Sequence, residues 1–132
     1  MFVFLNGKII RKEDAKISPF DRGFLFGDGV FETIRCYRGV PFAWQQHVER
    51  LKKGLSELSI NTDLNEEELK NVVMRLLYIN NLSNTDAYLR ITVSRGENND
   101  LRDLSSPNPT IFAFVKSINL ALLEKKRVLG VN

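Results

Sequence analysis

The sequence predicts an α+β fold: a two-layer domain with a mainly antiparallel sheet packed on two helices. Three observations predict it. Segments of period two flank tight glycine-containing turns near the start of the chain, and two more such segments recur late. Two segments of helical period sit together in the middle. Strands and helices are grouped rather than alternating, which argues against a doubly wound parallel sheet.

Taken in order, Phe2 to Leu5 is apolar and β-prone, and Lys8-Ile9-Ile10 follows after Asn6-Gly7. Asn-Gly between two apolar runs signals a hairpin, because a type I′ turn needs positive φ at both central residues. Arg11 to Pro19 is a polar connection, and Asp21-Arg22-Gly23 leads into the glycine turn Gly27-Asp28-Gly29. Val30 to Tyr37 reads as a strand. Val30, Glu32, Ile34 and Cys36 share one face, while Phe31, Thr33, Arg35 and Tyr37 share the other. Glu32 thus falls on the more apolar face, where a carboxylate must be paired, hydrogen-bonded or protonated. Arg38-Gly39 then turns the chain into Val40 to Trp44, a second hairpin.

Val48, Leu51, Leu55 and Leu58 form the stripe of a first helix. For a second helix, Asn65 is a good N-cap with Glu68 at N3, and Leu64 and Leu69 occupy the staple positions. Leu69, Val72, Val73, Leu76 and Leu77 form its buried stripe, and Asn80-Asn81 ends it. Ala87 to Ser94 alternates again, with Ala87, Leu89, Ile91 and Val93 on one face. A polar loop from Arg95 to Pro109 leads to a last strand, Thr110 to Lys116. In the tail, Val128-Leu129-Gly130-Val131 resembles the opening of another strand.

The 132 residues fit one domain, and a hydrophobic fraction of 43% with 27% charged residues favours a packed core over disorder. Net charge is +3, but the cations are scattered among acids, whereas a nucleic-acid surface needs a concentrated patch. The only cysteine, Cys36, rules out an internal disulfide and is expected to be a buried, inert thiol in a reducing compartment. One cysteine and one histidine cannot make a Cys/His zinc site. The start of the chain lacks a signal-peptide pattern, and no stretch approaches the ~20 apolar residues of a membrane helix. A cytoplasmic protein, without membrane or nucleic-acid partners, is expected.

Candidate chemistry is sparse. Arg50 lies about 120° around its helix from the apolar stripe, so periodicity makes it a solvated arginine. The alternative is an anion clamp, since guanidinium matches phosphate geometry bidentately. His47 flanks the stripe with no cysteine or serine partner at a telling spacing. Arg95, at a strand end before Gly96, and Arg102, in the loop beyond, could hold a substrate carboxylate or be solvated loop arginines. Phe31 lines either a pocket or the core, with core favoured. These patterns alone leave the function open.

Leu5-Asn6-Gly7, Asp21-Arg22-Gly23, Phe26-Gly27-Asp28-Gly29-Val30-Phe31-Glu32, His47-Val48-Glu49-Arg50-Leu51 and Ser94-Arg95-Gly96 together make the chain resemble the N-terminal part of fold-type IV pyridoxal-phosphate enzymes. These are the class IV aminotransferases, acting on branched-chain or D-amino acids, and their relative 4-amino-4-deoxychorismate lyase. The resemblance implies the small domain of such an enzyme over residues 1–118, with 119–132 a linker and the start of a second domain. It implies pyridoxal 5′-phosphate as cofactor, an amino acid and a 2-oxo acid as substrates, and a homodimer. Position by position, it implies that Arg50 grips the cofactor phosphate. Phe31, Glu32, Arg95 and Arg102 fall on the substrate side, with Phe31 replacing a tyrosine common in relatives. In the family the lysine that holds the cofactor covalently lies in the second domain, and neither Lys125 nor Lys126 matches it. The chain alone is therefore expected to lack a catalytic residue and to be inactive. Aminotransferase, lyase and a non-catalytic binding module remain the three readings. On these expectations the glycine turn delivers the Phe31–Glu32 strand to the pocket rather than cradling phosphate, since no helix follows it directly.

Overall fold

A computed structural model describes residues 1–98, 100, 102 and 108–118. The Asn6-Gly7 turn joins β1 (Phe2–Leu5) to β2 (Lys8–Arg11), with φ of 47° at Asn6 and 91° at Gly7, as a type I′ hairpin demands. The connection beyond holds a 3-10 turn at Lys12–Asp14 and a short helix, α1 (Arg22–Phe26). Neither is predicted by periodicity, because five residues are too few to show a helical period. β3 (Gly29–Tyr37) follows, and Arg38-Gly39, again with two positive φ values, turns it into β4.

β4 is shorter than expected, only Val40–Pro41, and Trp44 opens the next helix instead of ending a strand. Pro41 has no N–H for a ladder, and Ala43 takes a left-handed φ of 54° that breaks extended geometry. α2 spans Trp44–Glu57 and buries Val48, Leu51 and Leu55. The expected fourth member of that stripe, Leu58, is 37% exposed, because it is the C-cap where the chain leaves the helix. α3 spans Glu66–Ile79. Its Asn65 Oδ1 accepts the Glu68 N–H at 2.8 Å, as the capping pattern predicts. It buries Leu69, Val73, Leu76 and Leu77, with Val72 packed at the margin.

β5 (Ala87–Ser94) and β6 (Thr110–Ser117) complete one antiparallel sheet of order β2-β1-β6-β5-β3-β4. The two helices belong with one face of it. In register across that face lie Phe4, Ala113, Ile91 and Glu32. Ala87, Leu89, Ile91 and Val93 are at most 1% exposed, and each large side chain so buried contributes about 1.5–3 kcal/mol. Cys36 is fully buried there, and desolvation pushes its thiol up to about 11. It is thus an inert core residue, as expected. The other face carries Phe31, Thr92 and Phe112 in one row and Thr33, Arg90 and Phe114 in the next.

Candidate functional site

Two features of β3 make its first half a candidate site. First, β3 is hydrogen-bonded to β5 from Gly29 to Cys36, but to β4 only at Cys36 and Tyr37. Among the described residues, Gly29–Ile34 is therefore an open sheet edge. Second, consecutive residues at that edge point to opposite faces. Glu32 reaches α2, while Phe31 reaches the uncovered face.

On the α2 side, Glu32 is 5% exposed and chelates Arg50. Arg50 Nε donates to Oε1 at 2.5 Å and Nη2 to Oε2 at 3.0 Å. The pair raises the pKa of Arg50 above its ordinary value, chiefly through the hydrogen bond to Glu32. His47 completes the group: its Nδ1 lies 3.6 Å from Glu32 Oε1 and 3.4 Å from Arg50 Nη2. The Arg50 side chain is nonetheless 70% exposed. Periodicity is right about its exposure, and the expected need of Glu32 for a partner is met by this same arginine. Gly54 lets the helix flank approach: a Cβ there would stand 2.9 Å from Val30 Cγ1.

On the other side, Phe31 is 58% exposed, so the core reading for it does not hold. A strand residue opposite to Glu32 and Ile34 faces away from the helices, and no further layer covers it among the described residues. The Arg90 guanidinium carbon sits 4.1 Å from the centre of its ring. Arg90 was missed by sequence reasoning, although its place opposite the Leu89/Ile91 face was legible. Phe112 and Phe114 lie nearby, their rings tilted with centres 5.8 Å apart, and Tyr88 meets Phe114 edge-on. A cavity of about 420 Å³ lies beside this surface, lined among others by Phe24, Gly29, Phe31, Thr92 and Phe112.

Arg95 is elsewhere. It is 3% exposed, so it is not a solvated loop arginine. Its Nε and Nη2 bind the Asp28 carboxylate at 2.6 and 3.3 Å, and its Nη groups also reach the carbonyls of Leu58 and Ser59. Arg22 Nε binds the same carboxylate at 3.2 Å. The Arg95 and Arg22 hydrogen bonds hold Asp28 below the usual carboxylate range against the desolvation that would raise it. A guanidinium so engaged inside the fold ties the glycine turn to the end of α2 and is poorly placed to meet a substrate. Arg102 is exposed, with its backbone N–H on Asp100 Oδ1 at 2.9 Å. The expected strand at 128–131, Lys125 and Lys126 lie outside the described residues.

Sequence reasoning also missed Asp21. This buried carboxylate caps α1 through the Gly23 N–H and accepts the hydroxyls of Ser94 and Thr110. Gly27, with φ of 66°, closes α1 and starts the glycine turn. The turn thus follows a helix rather than preceding one. Its geometry sets β3 against β5.

This six-stranded antiparallel sheet with few helices matches the small N-terminal domain of fold-type IV aminotransferases. The family model for amino-transferase class IV matches residues 29–131, and the chain belongs to that family. It is 45% identical over 113 residues to a putative branched-chain-amino-acid aminotransferase of Methanocaldococcus jannaschii, covering 85% of this chain and 38% of that protein. It is 34% identical over 133 residues to the aminodeoxychorismate lyase of Bacillus subtilis, covering 98% and 45%. A PLP-bound hypothetical aminotransferase from Mycobacterium tuberculosis shares the fold, with a TM-score of 0.74, 21% identity, and coverage of 96% of this chain and 43% of that one. The chain spans less than half the length of the curated relatives it matches.

Proposed function

We propose that residues 1–118 are the N-terminal domain of a longer pyridoxal-phosphate enzyme that transfers an amino group between an amino acid and a 2-oxo acid. The observation that carries this reading is the Glu32–Arg50 pair, which presents an exposed guanidinium from a buried anchor at an open sheet edge. That donor set fits a phosphate monoester: guanidinium is planar and always charged, and Nη1 stays outside the contacts with Glu32 and His47. Arg50 would hold the cofactor phosphate. The cofactor, when bound, supplies the electron sink for bond breaking at the amino acid's α-carbon. Phe31 and Arg90 would shape the substrate side on the uncovered face, with Arg102 entering from the loop. Glu32 acts through Arg50, and Arg95 holds the fold.

In this reading the covalent lysine belongs to a second domain, with residues 119–132 as the linker and its start. A homodimer in the cytoplasm completes the reading; a single buried cysteine suits a reducing compartment. The likeness to a branched-chain enzyme at 45% identity supports that amino-acid class. The 34% likeness over 98% of the chain supports, as a second reading, a lyase that releases pyruvate from aminodeoxychorismate.

The test uses the full-length protein. Borohydride reduction after adding the cofactor should label one lysine outside residues 1–118; labelling inside them, or none, defeats the proposal. Amino transfer from valine or D-alanine to a 2-oxo acid then reads side-chain class and stereochemistry. Pyruvate release from aminodeoxychorismate without an acceptor selects the lyase.

A further inference from the structure

We infer that Glu32 is a positioning residue: it locks the Arg50 guanidinium so that one defined edge remains for an incoming phosphate. The inference rests on the phosphate role proposed for Arg50 and goes beyond it. Both oxygens of Glu32 are used, one by Nε and one by Nη2. That closes the side edge of the guanidinium. His47 Nδ1 lies against the same Nη2. Nη1 takes no part in these contacts, on a side chain that is 70% exposed.

The anchor is rigid. Glu32 lies in one sheet row with Ile91, Ala113 and Phe4, which are 1%, 0% and 6% exposed. An exposed arginine on a helix flank would otherwise sample many rotamers, and binding would have to freeze them. Glu32 freezes them beforehand. Its own negative charge opposes an anion, so two effects compete. The bidentate pair offsets that charge locally and leaves pre-organisation as the larger effect.

The experiment titrates full-length apoprotein with pyridoxal 5′-phosphate and, separately, with pyridoxal, which lacks the phosphate. Glu32→Gln is expected to weaken binding of the phosphorylated ligand roughly three- to tenfold, the cost of ordering one long side chain. Pyridoxal binding should stay unchanged. The loss should vanish in an Arg50→Ala background, since Glu32 then has no guanidinium to hold. Glu32→Asp, which keeps the charge on a shorter arm, should lose less and serves if Gln at this position prevents folding. Equal weakening of both ligands would mean Glu32 only supports the sheet, and the inference falls. Unchanged or tighter binding of the phosphorylated ligand, with Arg50→Ala still weakening it, overturns the positioning role and leaves the phosphate role of Arg50 standing. If Arg50→Ala spares the phosphorylated ligand, both fall.

Discussion

The molecule builds two carboxylate–guanidinium clusters from the same chemistry and uses them in opposite ways. Around Asp28, both arginine side chains are nearly inaccessible, Arg95 at 4% and Arg22 at 9% exposure. Around Glu32 the carboxylate is buried and the arginine stands out at 70%. The first cluster is closed on itself and joins α1, the glycine turn, β5 and the end of α2. The second leaves its cation facing outward. A buried pair holds structure because neither ion can be stranded without a desolvation cost. The Glu32 pair also holds a buried carboxylate, but its exposed cation keeps donors for a ligand.

The largest effect that separates the clusters is on stability. Asp28→Asn removes the carboxylate that two buried guanidiniums share, and should destabilise the fold by about 3 kcal/mol in urea unfolding. Arg50→Ala should shift the same midpoint less, since it leaves the buried Glu32 carboxylate with His47 beside it, whereas Asp28→Asn strands two buried guanidiniums. An equal shift would erase the distinction. Gly54→Val comes next. Its side chain collides with Val30, costs about 1–3 kcal/mol and moves α2 away from β3. It should therefore also weaken binding of pyridoxal 5′-phosphate, which Asp28→Asn, at a temperature where it remains folded, should affect less.

Acid sharpens the contrast further. The folded Asp28 titrates below its ordinary value of 3.8, so its contribution is present above that pH and is lost as pH falls through the lowered folded value. The wild-type unfolding midpoint should fall in that window, and Asp28→Asn should flatten this acid limb. Salt gives the smallest effect. At 1 M the screening length is about 3 Å, so the coupling of Glu32 with Arg50 in a double-mutant cycle should shrink, while that of Asp28 with Arg95 should persist. Equal salt sensitivity would place both clusters in one class.

Local signals made much of the fold legible. The Asn6-Gly7 turn, the Asn65 cap and the alternation of Ala87 to Ser94 each act within a few residues, and each appears where the pattern puts it. α1 was not legible, because its stability rests on Asp21, whose other partners lie 73 and 89 residues away. The burial of Arg95 was not legible for the same reason: its carboxylate partner is 67 residues distant. A loop position says nothing of that contact.

The candidate site divides along the same line. Sequence alone determined that Glu32 lies on the buried face and needs a partner, and that Arg50 lies off the apolar stripe, because strand and helix periods are properties of short segments. It also carried the family resemblance that the comparisons bear out. Tertiary structure alone decided that those two residues meet across 18 positions, that Phe31 is left facing outward under Arg90, and that Arg95 pairs with Asp28. Those pairings depend on how β3 lies against α2 and β5. That arrangement is set by packing the whole core, which no local period encodes.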